Sequence, residues 1–291
     1  MRAHLLLVAW LAVLAAPVQA RIVEERLEVP VEVRDGYGKA ISGSVGVVLF
    51  RDDAAGGPRP AVVLQHGRAT SAPERAAMGS ARYGDASRWF VRQGFLVAVP
   101  TRLGYGTTGG EDVEDSGPCA SKRYEPGFVA AAAQTLAVLD ALRARADVDR
   151  ERLVVLGQSY GGATAVAVAA RNPPGVVAVV NVAGGAGGDP VARVGDPCSP
   201  QQLERTYAGF GATARVPMLW LYTENDRYWG PSLPKGWADA FRRAGGDVRF
   251  VQVPPHGTDG HAMFTRGPEV WQPVVAEFLR EQGFAVPAER P

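Results

Sequence analysis

"LVVLGQSYGGATAVAVAA", residues 153–170, joins two unlike segments through one polar centre. Leu153-Val154-Val155-Leu156 is continuously apolar, as expected of a strand buried on both faces. The alanine- and valine-rich run after Ser159 reads as a packed helix. Between them lies Gly157-Gln158-Ser159-Tyr160-Gly161, a G-x-S-x-G pattern. In a strand–turn–helix context this pattern holds its serine in a strained backbone conformation, with the hydroxyl projecting above a sheet. Residues two positions away must then lack side chains to avoid collision, which accounts for Gly157 and Gly161. Gly162 and Ala163 let the helix approach closely. Its N-terminal dipole faces the point where negative charge would develop.

Strands and helices alternate on both sides of this seam. Residues 26–34 and 45–50 read as early strands joined by the turn-rich "DGYGKAISG". Apolar strands follow at 61–64 and in "FLVAVP", with a helix near 82–93 between them. A long helix covers about 127–145, where the alanines and leucines of "FVAAAAQTLAVLDALRARA" recur at helical spacing. Strand 153–157 and helix 160–171 flank the serine. Beyond them come strands 176–183, 217–223 and 248–253, and helices 232–244 and 269–282. This order predicts one α/β domain over 21–291, a mostly parallel central sheet covered by helices on both faces. The glycine- and proline-rich stretch 184–213 breaks the rhythm and is expected to form a short cap or lid insertion.

Composition narrows the function. The 291 residues are 46% hydrophobic and 21% charged, the balance of an ordinary globular chain with material for a sizeable core. The formal net charge is +1 without a basic cluster, so neither nucleic acid nor an anionic membrane is indicated as a partner. "MRAHLLLVAWLAVLAAPVQA" has one positive charge, an apolar run, then Val18-Gln19-Ala20. That is the pattern of a secretory signal cut after Ala20, and its apolar run is short for a bilayer span. No integral membrane span is expected after its removal, and the mature chain is expected in the periplasm or outside the cell. There Cys119 and Cys198, the only cysteines, are expected to bridge. No C-x-x-C or histidine spacing suggests a metal, and the glycines of "VPTRLGYGTTGGE" match no nucleotide-binding spacing, so no cofactor is expected.

A serine hydroxyl is a poor nucleophile near neutral pH without a base, and the base needs an orienting acid. On such a sheet these follow in the order Ser, Asp or Glu, His. After the apolar "VPMLWLY" come Glu224 and Asp226, and after "VRFVQVP" come His256 and His261. Asp239 falls on a helix and is expected to be solvated. The residues alone leave both choices open.

"LQHG", "VPTRLGYG", "GQSYGG", "LYTENDRYW" and "DGHAMF", in this order, resemble the α/β-hydrolase superfamily. The resemblance covers nearly all of residues 25–284, and within the superfamily it is nearest the dienelactone-hydrolase-like branch of secreted bacterial serine hydrolases. It implies the α/β-hydrolase fold, Ser159 as nucleophile, Asp226 as acid and His261 as base. It also implies an oxyanion hole built from two backbone N–H groups, those of Tyr160 and Arg68, with Gly67 as the neighbouring alternative to Arg68. His66 is expected to be structural. Arg102, Tyr105, Tyr228 and Trp229 are candidates for the substrate pocket. The activity implied is hydrolysis of a small-molecule carboxylic ester or lactone through an acyl-enzyme. A peptidase of the prolyl-oligopeptidase type shares the triad but carries a propeller domain absent from this sequence. A perhydrolase or acyltransferase would differ only in the acceptor. An inactive binding protein on the same fold would be expected to lack at least one triad member.

Overall fold

The computed structural model describes residues 21–287. The amino-terminal twenty residues, on which the signal-peptide expectation falls, lie outside the described residues.

The chain opens with two long strands, β1 (Ile22–Arg34) and β2 (Ala40–Asp52), paired antiparallel along their whole length. Asp35 makes the turn between them, its Oδ1 accepting the amides of Tyr37 and Lys39. There follow β3 (Arg59–Gln65), α1 (Ala72–Ala77), α2 (Gly84–Arg92), β4 (Leu96–Thr101), α3 (Tyr124–Arg143) and β5 (Val148–Gln158). The second half alternates α4 (Tyr160–Ala169), β6 (Val176–Val182), α5 (Pro200–Thr213), β7 (Met218–Thr223), α6 (Leu233–Arg243) and β8 (Val248–Val253). It closes with α7 (Met263–Arg266) and α8 (Pro268–Glu281).

All eight strands form one sheet in the order β1-β2-β4-β3-β5-β6-β7-β8. β2 meets β4 antiparallel, and every pairing from β4 to β8 is parallel. Consecutive residues along β3 and β5 are buried, from Ala61 to Gln65 and from Leu153 to Gly157, so both faces of the sheet centre are covered. One helical layer groups α2, α7 and α8, and the other runs α3–α4–α5–α6 as successive neighbours. This is the α/β-hydrolase fold.

Register fixes where the chemistry can gather. β3 and β5 pair Leu64 with Leu156 and Gln65 with Gly157. Their carboxyl ends therefore deliver His66-Gly67 and Gln158-Ser159 to the same edge. Ligands bind at such an edge in open α/β sheets.

The expected cap divides in two. Residues 200–213 are α5, whose Leu203, Tyr207 and Phe210 are buried against the body and whose neighbours are α6, α4 and α3. That part is a sheet-covering crossover helix, not a cap. Gly209 and Gly211 obscure its period, while Pro200 stands at its first turn, where a missing N–H costs nothing. Only the loop 183–199 remains above the strand ends. Cys119 and Cys198 are joined by a disulfide, which ties this loop to the short turn Cys119–Ser121.

Candidate active site

Ser159 sits between β5 and α4 with φ 58° and ψ −125°, a conformation that costs a non-glycine residue of order 1–3 kcal/mol. The neighbours leave it no alternative. A Cβ on Gly157 would stand 1.9 Å from the Gly161 carbonyl oxygen, and one on Gly161 would stand 2.2 Å from that of Gln65. The Ser159 amide donates to Val182 O at 3.0 Å, and its carbonyl accepts from Gly162 and Gly185 at 2.8 and 3.2 Å. α4 behind it is buried at every position, so the elbow is clamped between sheet and helix.

Asp226 follows β7. It is 2% exposed, and its Oδ1 accepts the amides of Tyr228 and Trp229 at 2.8 and 3.2 Å. Oδ2 is thereby turned to His261 Nδ1, 2.9 Å away. His261 is carried by the 3-10 turn Gly260–Ala262, which Asp259 caps by accepting the His261 amide at 3.0 Å. With Nδ1–H donated to Asp226, Nε2 is the basic nitrogen. Tyr228 stacks on the imidazole at 3.9 Å between centroids, and Trp229 meets it edge-on at 5.5 Å. Glu224 is exposed, and His256 Nδ1 lies 3.8 Å from Glu269, away from both partners. Asp239 pairs with Lys235 and Arg242 on the outer face of α6. Ser159 and His261 line one cleft of about 370 Å³. A second cleft of about 380 Å³ meets the same serine from the side of Tyr160.

The loop after β3 runs alongside the serine, close enough that a Cβ on Gly67 would be 3.3 Å from Ser159 Cβ. Among the described residues, neither the Arg68 nor the Tyr160 amide donates to a protein acceptor. The second of these is an orphan donor of the first turn of α4.

A buried charge cluster supports this loop. Arg102 and Glu114 are both fully buried and paired. Arg102 also donates to the carbonyls of His66 at 2.7 Å and Gly67 at 3.3 Å. Glu114 accepts from the Tyr105 hydroxyl at 2.6 Å. The Arg68 guanidinium grips Asp112 through two bonds of 2.8 and 2.6 Å. Burial opposes the charges of Arg102 and Arg68, but the carboxylates beside them more than compensate, and both pKa values lie above the usual arginine range. Burial also works against the Asp112 charge, but the bond and charge of Arg68, the charge of Arg75 and the Glu114 amide together outweigh it, so that carboxyl lies below its ordinary value. His66 is held well below the usual histidine value, first by burial and then by the charge of Arg102. Its neutral ring bridges the loop, with Nε2 accepting the Arg102 amide at 3.1 Å and Nδ1 donating to Gly67 O at 2.7 Å.

The pocket expectations for Arg102 and Tyr105 are therefore corrected. Neither lines either of these two clefts, because both are drawn under the loop by Glu114. Tyr228 lines both clefts and Trp229 the second. Glu114 was not legible in the sequence. In "GGEDVEDSG" it looks like any other carboxylate of a solvated acidic loop. No grouping of three His, Cys, Asp or Glu side chains able to hold a metal occurs among the described residues. None of the described helices is long and apolar enough to cross a membrane.

Comparison with known proteins agrees with this architecture. The fold is shared with a dienelactone hydrolase, by provisional assignment, of Klebsiella pneumoniae subsp. pneumoniae (TM-score 0.54, 20% identity, 91% of this chain and 98% of that one). It is shared with an acetyl xylan esterase of Paenibacillus sp. R4 (TM-score 0.57, 16% identity, 90% and 88%). An acylaminoacyl peptidase also superposes, at TM-score 0.58 and 13% identity, over 92% of this chain but 43% of its own length. At these identities the likeness speaks for fold alone. No curated protein matches the chain by sequence. Residues 56–205, just over half of the chain, match the family model described as serine aminopeptidase, S33. By that match and by its sheet, the chain belongs to the serine aminopeptidase S33 family of α/β-hydrolases.

Proposed function

We propose that the protein is an exported serine hydrolase that cleaves carboxylic esters through an acyl-enzyme on Ser159. The observation that carries this reading is the convergence of a strained serine and an aspartate-bound imidazole on one cleft. In this mechanism His261 Nε2 takes the Ser159 proton as Oγ attacks the ester carbonyl, and Asp226 stabilises the resulting imidazolium. The tetrahedral oxyanion accepts the amides of Tyr160 and Arg68, and each such donor is worth about 3 kcal/mol in comparable sites. Collapse expels the alcohol with the proton from His261. Water then attacks the acyl-enzyme by the same route and releases the acid. The disulfide favours an oxidising compartment, in keeping with a signal peptide cut after Ala20.

A peptidase reading is favoured by the description of the matched family. The test is initial rates on matched aryl esters and aminoacyl anilides, for the mature protein and Ser159→Ala. Ester turnover is expected to fall in the variant by roughly 10³-fold or more with the fold intact. Anilide cleavage by the wild type would bring the peptidase forward. Ester turnover that survives Ser159→Ala would sink the serine mechanism.

A further inference from the structure

The two clefts meeting at Ser159 differ in what they touch. The first is bordered by His261, and its walls include Met78, Ala81 and Tyr83. The second is bordered by Tyr160, floored by the loop Gly185–Gly188, and edged by Thr70, Ser116, Lys122 and Arg193. His261 borders only the first and Tyr160 only the second, whereas Arg68 and Tyr228 border both.

The reaction assigns a substrate half to each. The imidazolium that has taken the serine proton must hand it to the leaving oxygen, so the alcohol half lies over His261. The acyl half stays bonded to Oγ and extends the other way, into the second cleft. The charges then decide what each half resembles.

In the first cleft no charge is free. Arg68 is held by Asp112 and Glu114, Arg82 pairs with Glu24, and His66 is neutral. Gln158 is also engaged, its Oε1 accepting the Tyr83 hydroxyl and its Nε2 donating to His261 O, so the rest of the wall is mainly aliphatic and aromatic. In the second, Lys122 and Arg193 have no carboxylate within 4.0 Å among the described residues, yet Asp115 and Asp189 share the same walls. Two cations and two carboxylates cancel. Apart from the Tyr37 hydroxyl, which donates to Asp115 Oδ2 at 3.1 Å, their bonds are to backbone: Lys122 to Gly117 O, Arg193 to Gly187 O, Asp115 to the Gly117 amide, Asp189 to those of Val191 and Ala192. Arg193 Nε is buried without a partner. An apolar acyl chain would strip water from these groups and leave them unpaired. A charged acyl group would meet as many like charges as opposite ones. A neutral group with hydroxyl or carbonyl oxygens meets donors and acceptors.

The geometry points to esters that join an apolar alcohol to a polar, uncharged acyl group, such as a hydroxy- or oxo-acyl. This rests on the Ser159–His261 reading proposed above. Two constitutional isomers separate the halves: butyl glycolate has the polar acyl and apolar alcohol, and ethylene glycol monobutyrate has the reverse. With each rate normalised to alkaline hydrolysis of the same ester, butyl glycolate is expected to show about tenfold higher kcat/KM. Met78→Asp, at a half-buried position, places a charge in the first cleft. It is expected to lower kcat/KM for butyl glycolate about tenfold and to change that for the isomer less than about threefold. A ratio of one or below, an equal loss on both isomers, or turnover of para-nitrophenyl acetate with neither isomer hydrolysed overturns the assignment. Turnover of para-nitrophenyl acetate that persists in Ser159→Ala breaks the underlying mechanism instead, so the two failures are distinguishable.

Discussion

The elbow after β5 and the loop after β3 lie side by side, yet opposite means hold them. At the elbow the constraint is steric and close in sequence. Gly157, Gly161 and Gly162 let backbone meet backbone, and no charged side chain takes part. At the loop it is electrostatic and spread along the chain. Arg102 from the end of β4 and Glu114 from the following loop reach under His66 and Gly67, while Asp112 holds Arg68 from outside. The first kind of constraint is a pattern of absent side chains. The second depends on pairing between residues that fold together only after the sheet exists. A site built from both is strong where the chain turns tightly and vulnerable where it relies on a buried ion pair.

Replacing both Cys119 and Cys198 by serine opens a link across 79 positions, and on the chain-entropy account lowers stability by roughly 4.5 kcal/mol. Denaturant unfolding of the double variant gives a reference for a tether distant in sequence. Glu114→Ala leaves Arg102 buried without its partner and is expected to cost about 3–5 kcal/mol, with kcat falling as the loop loosens. Glu114→Gln should recover part of both. If Glu114→Ala unfolds at the wild-type midpoint with unchanged kcat, the charge cluster does not hold the loop and the contrast collapses. Gly157→Ala forces a methyl group against the Gly161 carbonyl and is expected to cost about 3 kcal/mol, the upper end of ordinary overpacking. Here the loss should not depend on salt or pH, in contrast to the loop.

The smallest effect is in the pH dependence. The folded pKa of His66 lies below the unfolded value of about 6.5, so as pH falls the unfolded chain takes up the proton first. This contribution is complete above that value and is lost below it, at a slope approaching about 1.4 kcal/mol per pH unit. Chemical unfolding between about pH 7.5 and 5.5 should show the loss, and His66→Gln should flatten it. Equal slopes for the two proteins would mean that His66 is not the group responsible.

Much of the fold is legible in local sequence pattern. The long apolar strands, the alanine-rich α3 and the G-x-S-x-G seam are local patterns whose burial on both faces follows from composition. The order of Asp226 and His261 after their strands likewise follows from topology, and the resemblance favoured Asp226 over Glu224, but the two amides that turn the Asp226 carboxylate to His261 come from the tertiary structure. α5 escaped because glycines interrupt its period, and its burial comes from α6, which follows it in the chain.

By itself, the sequence determined the serine's setting, since a steric requirement at Gly157 and Gly161 is written within five residues. Only the folded arrangement shows that Arg102 and Tyr105 support the loop from beneath and border neither cleft at Ser159. It also decided that Glu114 is the carboxylate they share, and that two clefts of unlike chemistry meet at Ser159. The physical reason is range: steric exclusion acts between near neighbours in sequence. Charge pairing and cleft lining depend on which distant segments the sheet brings within a few ångströms.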